Sequence, residues 1–223
     1  MPNADPKRHP MPFTRLEIAV MSLVDGELQV LLARRAEAPY AGKWALPGGV
    51  LRIDLDASLD AAALRVMRER LGLDLPFLRQ LCAAGGPTRD PRAPWALSVV
   101  YRALVPADNV KPLAGKRIEA LAWRCVDDAI ADRNLAFDHA MLAFRAVGST
   151  RTEVERLDLP AGFLPGHFTL GELQSTCELL LGQRLDKSSF RRRLADRQVV
   201  EPVEGAMRTG ANRPARIYRL RAR

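Results

Sequence analysis

Apolar residues near the start of the chain fall into two runs, RLEIAVMSLV and ELQVLLARR, on either side of Asp25-Gly26. Two apolar runs joined by such a pair predict a β-hairpin, because Asp-Gly readily adopts the backbone that a two-residue turn demands. PYAGKWALPGG follows as a loop, and DASLDAAALRVMRERLGL, residues 56–73, predicts a helix. FLRQLCA, WALSVVYRALV and IEALAWRCV read as strands, and a further helix is predicted from about Asp138 through HAMLAFRAV. This order describes an α+β unit with helices packed on a mixed sheet.

GSTRTEVERLDLPAGFLPGH reads as a partly helical connection ending in a loop with two prolines and two glycines. A domain boundary is expected there. The chain is divided accordingly into a tail at 1–12, a first domain at 13–148, a linker at 149–165 and a second domain at 166–223.

The pattern then changes. TLGELQSTCELLLG opens with Thr169, carries Glu172 three residues on and closes at Gly182, which is a capping box followed by a C-terminal breaker. After a short connection Asp186 can cap a second helix, KSSFRRRLADR, giving a helix-turn-helix. QVVEPV, a glycine-containing loop and RPARIYRL complete a two-stranded wing. On a helical wheel Phe190 and Leu194 form the apolar stripe that must face the first helix. Ser188, Ser189 and Arg192 lie opposite, Lys187 and Arg191 flank them, and Arg193 sits nearer the core side. Hydroxyls and long cations near a helix N-terminus suit base edges and phosphates in a major groove. Arg192 is expected at a base edge, and the wing residues Arg208, Arg213 and Arg216 are added as candidates, with Arg213 on phosphate.

Charge sharpens that division. The 223 residues carry a formal +8, and residues 161–223 hold twelve Lys and Arg against six Asp and Glu, so the last third contributes +6 of it. Such a bias marks a polyanion-binding surface, the alternative being a merely solvated basic face. A winged helix that binds another protein is the alternative, but it has no need of this much arginine. Cys82, Cys125 and Cys177 are too far apart for a disulfide framework or a zinc site, and His9, His139 and His167 are equally scattered. No apolar run approaches the roughly 20 residues of a membrane span, and the opening MPNADPKRHPMP has no secretory character. A cytoplasmic protein without a membrane partner is expected.

Residues 56–73 resemble the Nudix box: Gly, five of any kind, Glu, seven of any kind, then Arg-Glu-aliphatic-any-Glu-Glu-any-Gly-aliphatic. Anchored on Gly72 and Leu73, the box is matched by Arg65, Met67 and Glu69. The three other acidic positions fall on Ala57, Val66 and Arg70, and Gly49 sits two residues too early for the box glycine. Positions 66 and 70 are the i, i+4 pair that would hold Mg²⁺, which demands hard oxygen ligands. A guanidinium about 4 Å from a divalent cation costs on the order of 8 kcal/mol at an effective dielectric of about 20. No catalytic residue, no metal site and hence no enzyme is expected. Asp54, Asp56 and Asp60 are read as caps and helix-dipole partners rather than a substitute site, and Glu69 as a partner for Arg65.

ARRAEAPYAGKWALPGG is similar to the nucleotide-side loop of Nudix folds that handle nucleoside diphosphate derivatives. Arg34, Arg35 and Lys43 would supply cations, Trp44 a stacking face, and Gly48 and Gly49 a backbone that a ligand can approach. Arg65, Glu69 and Arg70 complete the ligand-binding candidates, Arg70 as a bidentate anion partner in place of a metal. The alternative is that Trp44 is core and the cations are surface.

The chain as a whole resembles the Nudix-related transcriptional regulators of NAD metabolism, the NrtR family. GKWALPGGV, AAALRVMRERLGL, LAFDHAMLAF, FTLGELQ, LDKSSFRRRL and RPARIYRL carry the resemblance. It implies a Nudix-fold α/β/α sandwich followed by a C-terminal winged helix-turn-helix. It further implies a homodimer on palindromic operators in double-stranded DNA, usually a repressor of NAD biosynthesis or salvage genes. The effector would be ADP-ribose or a related NAD metabolite, with no cofactor required. An active ADP-ribose or NADH hydrolase with an accessory DNA-binding tail is the competing class.

Overall fold

The computed structural model describes residues 11–74, 78–106, 113–159, 163–209 and 214–221. The first strands are β1 (Phe13–Val24) and β2 (Glu27–Arg35), joined by a tight turn in which Asp25 and Gly26 both take positive φ, 50° and 79°. That is the mirror-image turn whose twist matches a right-handed hairpin. β3 (Trp44–Ala45) and β4 (Gly48–Val50) follow, then α1 (Leu59–Leu71), β5 (Arg79–Gly86), β6 (Ala96–Leu104), β7 (Ile118–Cys125), α2 (Val126–Ala131) and α3 (His139–Glu155). The sheet runs β3-β2-β1-β6-β5, with β4 also on β1 and β7 also on β2. β1 and β6 are parallel, with Leu16 opposite Val99, and the remaining pairs are antiparallel, so the sheet is mixed as expected.

Alternation along β1 separates two layers. Leu16, Ile18 and Val20 point to α1 and cluster with Ala62, Ala63, Val66, Met67 and Tyr101. Ala19 and Met21 point the other way, into a cluster with Leu142, Ala146 and Val147 of α3. Arg15 and Glu17 extend that second row toward the start of the strand, and both are buried.

The second unit is built from β8 (Phe168–Thr169), α4 (Leu170–Leu181), α5 (Lys187–Asp196), β9 (Val200–Arg208) and β10 (Ala215–Leu220). Thr169 and Glu172 form the capping box, Gly182 closes α4 at φ 71°, and the Asp186 side chain caps α5 through the Ser189 N–H. β10 pairs with both β9 and β8. Phe190 and Leu194 are buried against α4 residues, in the same cluster as Leu142 and Val147 of α3. One apolar core therefore runs from the sheet through α3 into the winged helix.

Local patterns missed some elements. β3 and β4 lie inside the stretch expected to be loop, and α2 and β8 were not expected. α3 passes through Gly148 to Glu155, so the helical part of the connection, read from the sequence as partly helical, is continuous with the preceding helix. Leu142, Ala146, Val147, Thr150 and Val154 stay buried on one face, and that burial outweighs the roughly 1 kcal/mol that a mid-helix glycine costs. Among the described residues no helix is long and apolar enough to cross a membrane.

Candidate functional site

Helix α1 is capped by Ser58, whose side chain accepts the Ala61 N–H, so none of the three nearby aspartates is its N-cap. Asp54 pairs with Arg52, Asp60 accepts the Tyr101 hydroxyl at 2.6 Å, and Asp56 receives Arg65 Nε and an Arg65 terminal nitrogen at 2.7 and 2.8 Å. Arg65 also donates to Glu69 at 3.0 Å, as expected, and to the Val50 carbonyl at 3.0 Å. These bonds hold the Asp56 carboxyl below its ordinary pKa. Arg65 is thus a clamp between α1, β4 and the preceding loop.

Val66 is buried against the sheet, and a Cβ added at Gly49 would lie 2.7 Å from Val66 Cγ2. Gly49 therefore makes room for the protein's own valine. Ala57 is exposed and Glu69 is paired with Arg65. Those donors do not fit a magnesium ion, and no cluster of three or more potential ligands exists among the described residues.

Arg70 points elsewhere. Its guanidinium bonds the Lys116 carbonyl and borders a cavity of about 60 Å³ that Arg15, Arg34, Arg35, Arg92 and Arg117 also line. Glu37 is the one acidic side chain in that lining, and it pairs with Arg117 at 3.1 Å. Burial, then the neighbouring Arg15 and Arg92, lowers the Arg35 pKa; burial, then Arg117, lowers that of Arg70. Arg15 and Arg92 have carboxylate partners, Glu17 at 2.7 Å and Asp90 at 2.5 Å, whereas Arg35 and Arg70 donate to backbone carbonyls and keep their charge.

Aromatic rings stand beside the cations. The guanidinium carbons of Arg35, Arg15 and Arg92 lie 5.1, 5.9 and 5.9 Å from the centroid of the Phe137 ring, within cation–π range. Phe137 packs edge-on to Tyr40 at 4.7 Å, and both line an adjoining open groove of about 600 Å³ with Gly85, Arg89 and Met141.

Of the nine residues proposed from the sequence for ligand binding, Arg34, Arg35, Gly48 and Arg70 line this cavity. Lys43 lies over the Tyr40 ring at 5.7 Å. Trp44 packs against the apolar core, and its carbonyl accepts the Ala136 N–H, so the alternative of Trp44 as core describes its position. Gly49, Arg65 and Glu69 serve the internal contacts already described. Sequence reading missed Arg15, Arg92, Arg117 and Phe137. The available signal was Arg15 and Glu17, two charges at i, i+2 inside an otherwise apolar strand.

Beneath the cavity floor, Glu17 bonds Arg15 Nε at 2.7 Å through Oε1, while Oε2 is buried without a hydrogen-bond partner. A Cβ on Gly48 would fall 1.9 Å from that oxygen, so glycine is required there. His139, the first residue of α3, accepts the Leu46 N–H at Nδ1, 2.9 Å away. Burial lowers its pKa, so the neutral ring carries its proton on Nε2, which lies 3.9 Å from Glu17 Oε2 and has no partner.

The second constellation is on the surface. Lys187, Ser188, Arg191 and Arg192 of α5 are exposed, with Ser189 half-buried, and no ion pair holds any of the three cations among the described residues. Arg193 donates to the Glu155 carbonyl and Arg197 to that of Arg156, both at the end of α3. Arg208 pairs with Glu172, whose carboxylate also caps α4. Arg216 is exposed on β10 opposite Met207, and Arg213 lies outside the described residues.

Comparison with known proteins agrees with both halves. Residues 14–145 match the NUDIX domain model and residues 160–220 the NrtR DNA-binding winged helix domain model. The chain is 36% identical over 214 residues to an ADPR responsive transcriptional repressor of Acinetobacter baylyi, covering 95% of this chain and 83% of that one. The crystal structure of Shewanella oneidensis NrtR complexed with a 27mer DNA is similar with a TM-score of 0.77 and 32% identity, over 93% of each chain. Its NUDIX domain complexed with ADP ribose matches 66% of this chain and 94% of that one, with a TM-score of 0.59 and 31% identity. The chain belongs to the NrtR family, a Nudix domain followed by a DNA-binding winged helix domain.

Proposed function

We propose that this protein is a ligand-responsive transcriptional repressor whose Nudix domain binds ADP-ribose or a related NAD metabolite without hydrolysing it. The observation that carries the reading is the convergence of Arg15, Arg35, Arg70, Arg92 and Arg117 on one small cavity, with Arg70 standing at a box position where a carboxylate is expected. The cavity lining is dominated by cations, and arginines hold a pyrophosphate bidentately without a metal. The adjoining groove, within the usual size of a ligand site, takes the nucleoside against Tyr40 and Phe137. The relatives named above support ADP-ribose as the ligand and DNA as the partner.

The exposed cations of α5 read double-stranded DNA, Arg192 at base edges and the wing at phosphate. A single helix-turn-helix per chain needs a second copy to read a palindrome with half-sites about 34 Å apart, so the active form is a homodimer. The regulated genes serve NAD biosynthesis or salvage, and the protein acts in the cytoplasm.

Calorimetry with ADP-ribose in chelator tests the reading, followed by product analysis with Mg²⁺ or Mn²⁺ added. Binding without metal and no release of AMP is the expected result. Turnover near about 1 s⁻¹, within the ordinary enzyme range, that disappears with Glu69→Gln would instead make the protein a hydrolase.

A further inference from the structure

Two buried polar atoms face each other with no hydrogen-bond partner among the described residues: Glu17 Oε2 and His139 Nε2, both on side chains 1% exposed and 3.9 Å apart. An orphaned pair of this kind is costly, and use in another state of the protein is one reason to keep it. The groups on each side indicate such a state. Glu17 is held by Arg15, which lines the arginine cavity, and His139 holds Leu46 of the cavity floor while forming the first residue of α3. The other end of α3 is held from the recognition helix, through Arg193 on the Glu155 carbonyl and Arg197 on the Arg156 carbonyl.

We infer that Glu17 and His139 are positioning residues that transmit occupancy of the arginine cavity to the DNA-reading helix. An anion on Arg15 competes with Glu17 for that guanidinium. Glu17, partly released, moves toward His139 until Oε2 accepts the Nε2–H. Closing 3.9 Å to hydrogen-bond length takes a shift of about 1 Å.

His139 carries the first turn of α3 with it. A helix of 17 residues, about 25 Å long, moves as a rod. The shift is carried along the rod to the Glu155 and Arg156 carbonyls at its far end, which re-aim α5 through Arg193 and Arg197. Both members of the relay lie below the cavity floor, so neither needs to touch the ligand. The inference rests on the proposed function, since it requires both an anionic effector and DNA.

The test uses the full chain as wild type, Glu17→Gln and His139→Asn. Asparagine can still accept the Leu46 N–H through Oδ1 but offers nothing at the Nε2 position. ADP-ribose affinity is read by calorimetry. DNA affinity is read by fluorescence anisotropy, with and without saturating ADP-ribose, on the duplex that the wild-type protein selects from a random pool. In the wild type ADP-ribose should change DNA affinity by at least about fivefold, the lower end of ordinary coupling. Both variants should bind this DNA normally without ligand, and the change should shrink to less than about twofold.

Glu17→Gln should also bind ADP-ribose at least as tightly as wild type, because the charge that competes for Arg15 is gone. A merely structural role would weaken it. Variants that bind ADP-ribose and keep the full change overturn the relay alone. A wild type that does not bind ADP-ribose, or whose DNA affinity ignores it, overturns the proposed function and the relay together. If either variant melts early, Arg193→Ala with Arg197→Ala provides the second reading. Intact ADP-ribose binding with the change lost supports the relay, and an undiminished change overturns it.

Discussion

Arginine is used in opposite ways by the two units of this protein. In the Nudix unit the cationic side chains are gathered: Arg15, Arg35, Arg70, Arg92 and Arg117 crowd one cavity, and Arg65 is held by Asp56, Glu69 and the Val50 carbonyl. On α5, Lys187, Arg191 and Arg192 stand apart and exposed. Converging, partly desolvated cations select a small anion with charge concentrated on neighbouring groups, because the low-dielectric setting strengthens each contact. Spread, solvated cations match a polyanion whose charges are spaced along a groove, and their effect depends on salt. The chemistry is the same in both places; burial and spacing decide the partner.

The largest effect that bears on this contrast is expected at Arg65. Its removal leaves the Asp56 carboxylate, 2% exposed, without its cation, and breaking a buried pair costs about 3 to 5 kcal/mol. Arg65→Ala should lower the urea midpoint accordingly, and a near-neutral result would mean that the clamp is not needed to hold the cavity wall. Arg70→Glu comes next. Exchanging a cavity cation for an anion should weaken metal-free ADP-ribose binding about a hundredfold, or about 3 kcal/mol. Tighter binding measured by calorimetry would end the view of this cavity as an anion site.

On the other side of the contrast, Arg192→Ala should cost about 1 to 3 kcal/mol on the selected duplex and much less on random DNA, if Arg192 reaches a base edge. Equal losses on both would put the reading face elsewhere on α5. The smallest effect separates free from tethered arginines. Arg191→Ala should lower the slope of log affinity against log salt by about one ion. Arg208→Ala should leave that slope nearly unchanged, because Arg208 is already paired with Glu172. A full unit lost for Arg208 in a salt titration would show that DNA displaces Glu172.

Residues 56–73 illustrate how far local reading reaches. The helix and the Arg65–Glu69 contact were legible because each depends on residues within a turn or so of one another, whereas the helix stops at Leu71 with Gly72 as its cap rather than at residue 73. The capping box at Thr169 and the burial of Phe190 and Leu194 were legible for the same reason. The partners of Asp56 and Asp60 were not, since Arg65 comes from later on the helix and Tyr101 from β6.

The sequence by itself determined the hairpin, the caps of α4 and α5, the winged helix-turn-helix pattern and the loss of carboxylates at 57, 66 and 70, because turn geometry, helical period and ligand chemistry act over a few residues. Tertiary structure alone decided that Arg15, Arg35, Arg70, Arg92 and Arg117 share one cavity and that Trp44 turns to the core. It also decided that Gly48 and Gly49 admit Glu17 and Val66, and that α3 continues past Gly148 toward α5. Strand pairing brings together residues dozens of positions apart, and only the closed sheet, with α1 and α3 packed on its two faces, sets which side chains meet there.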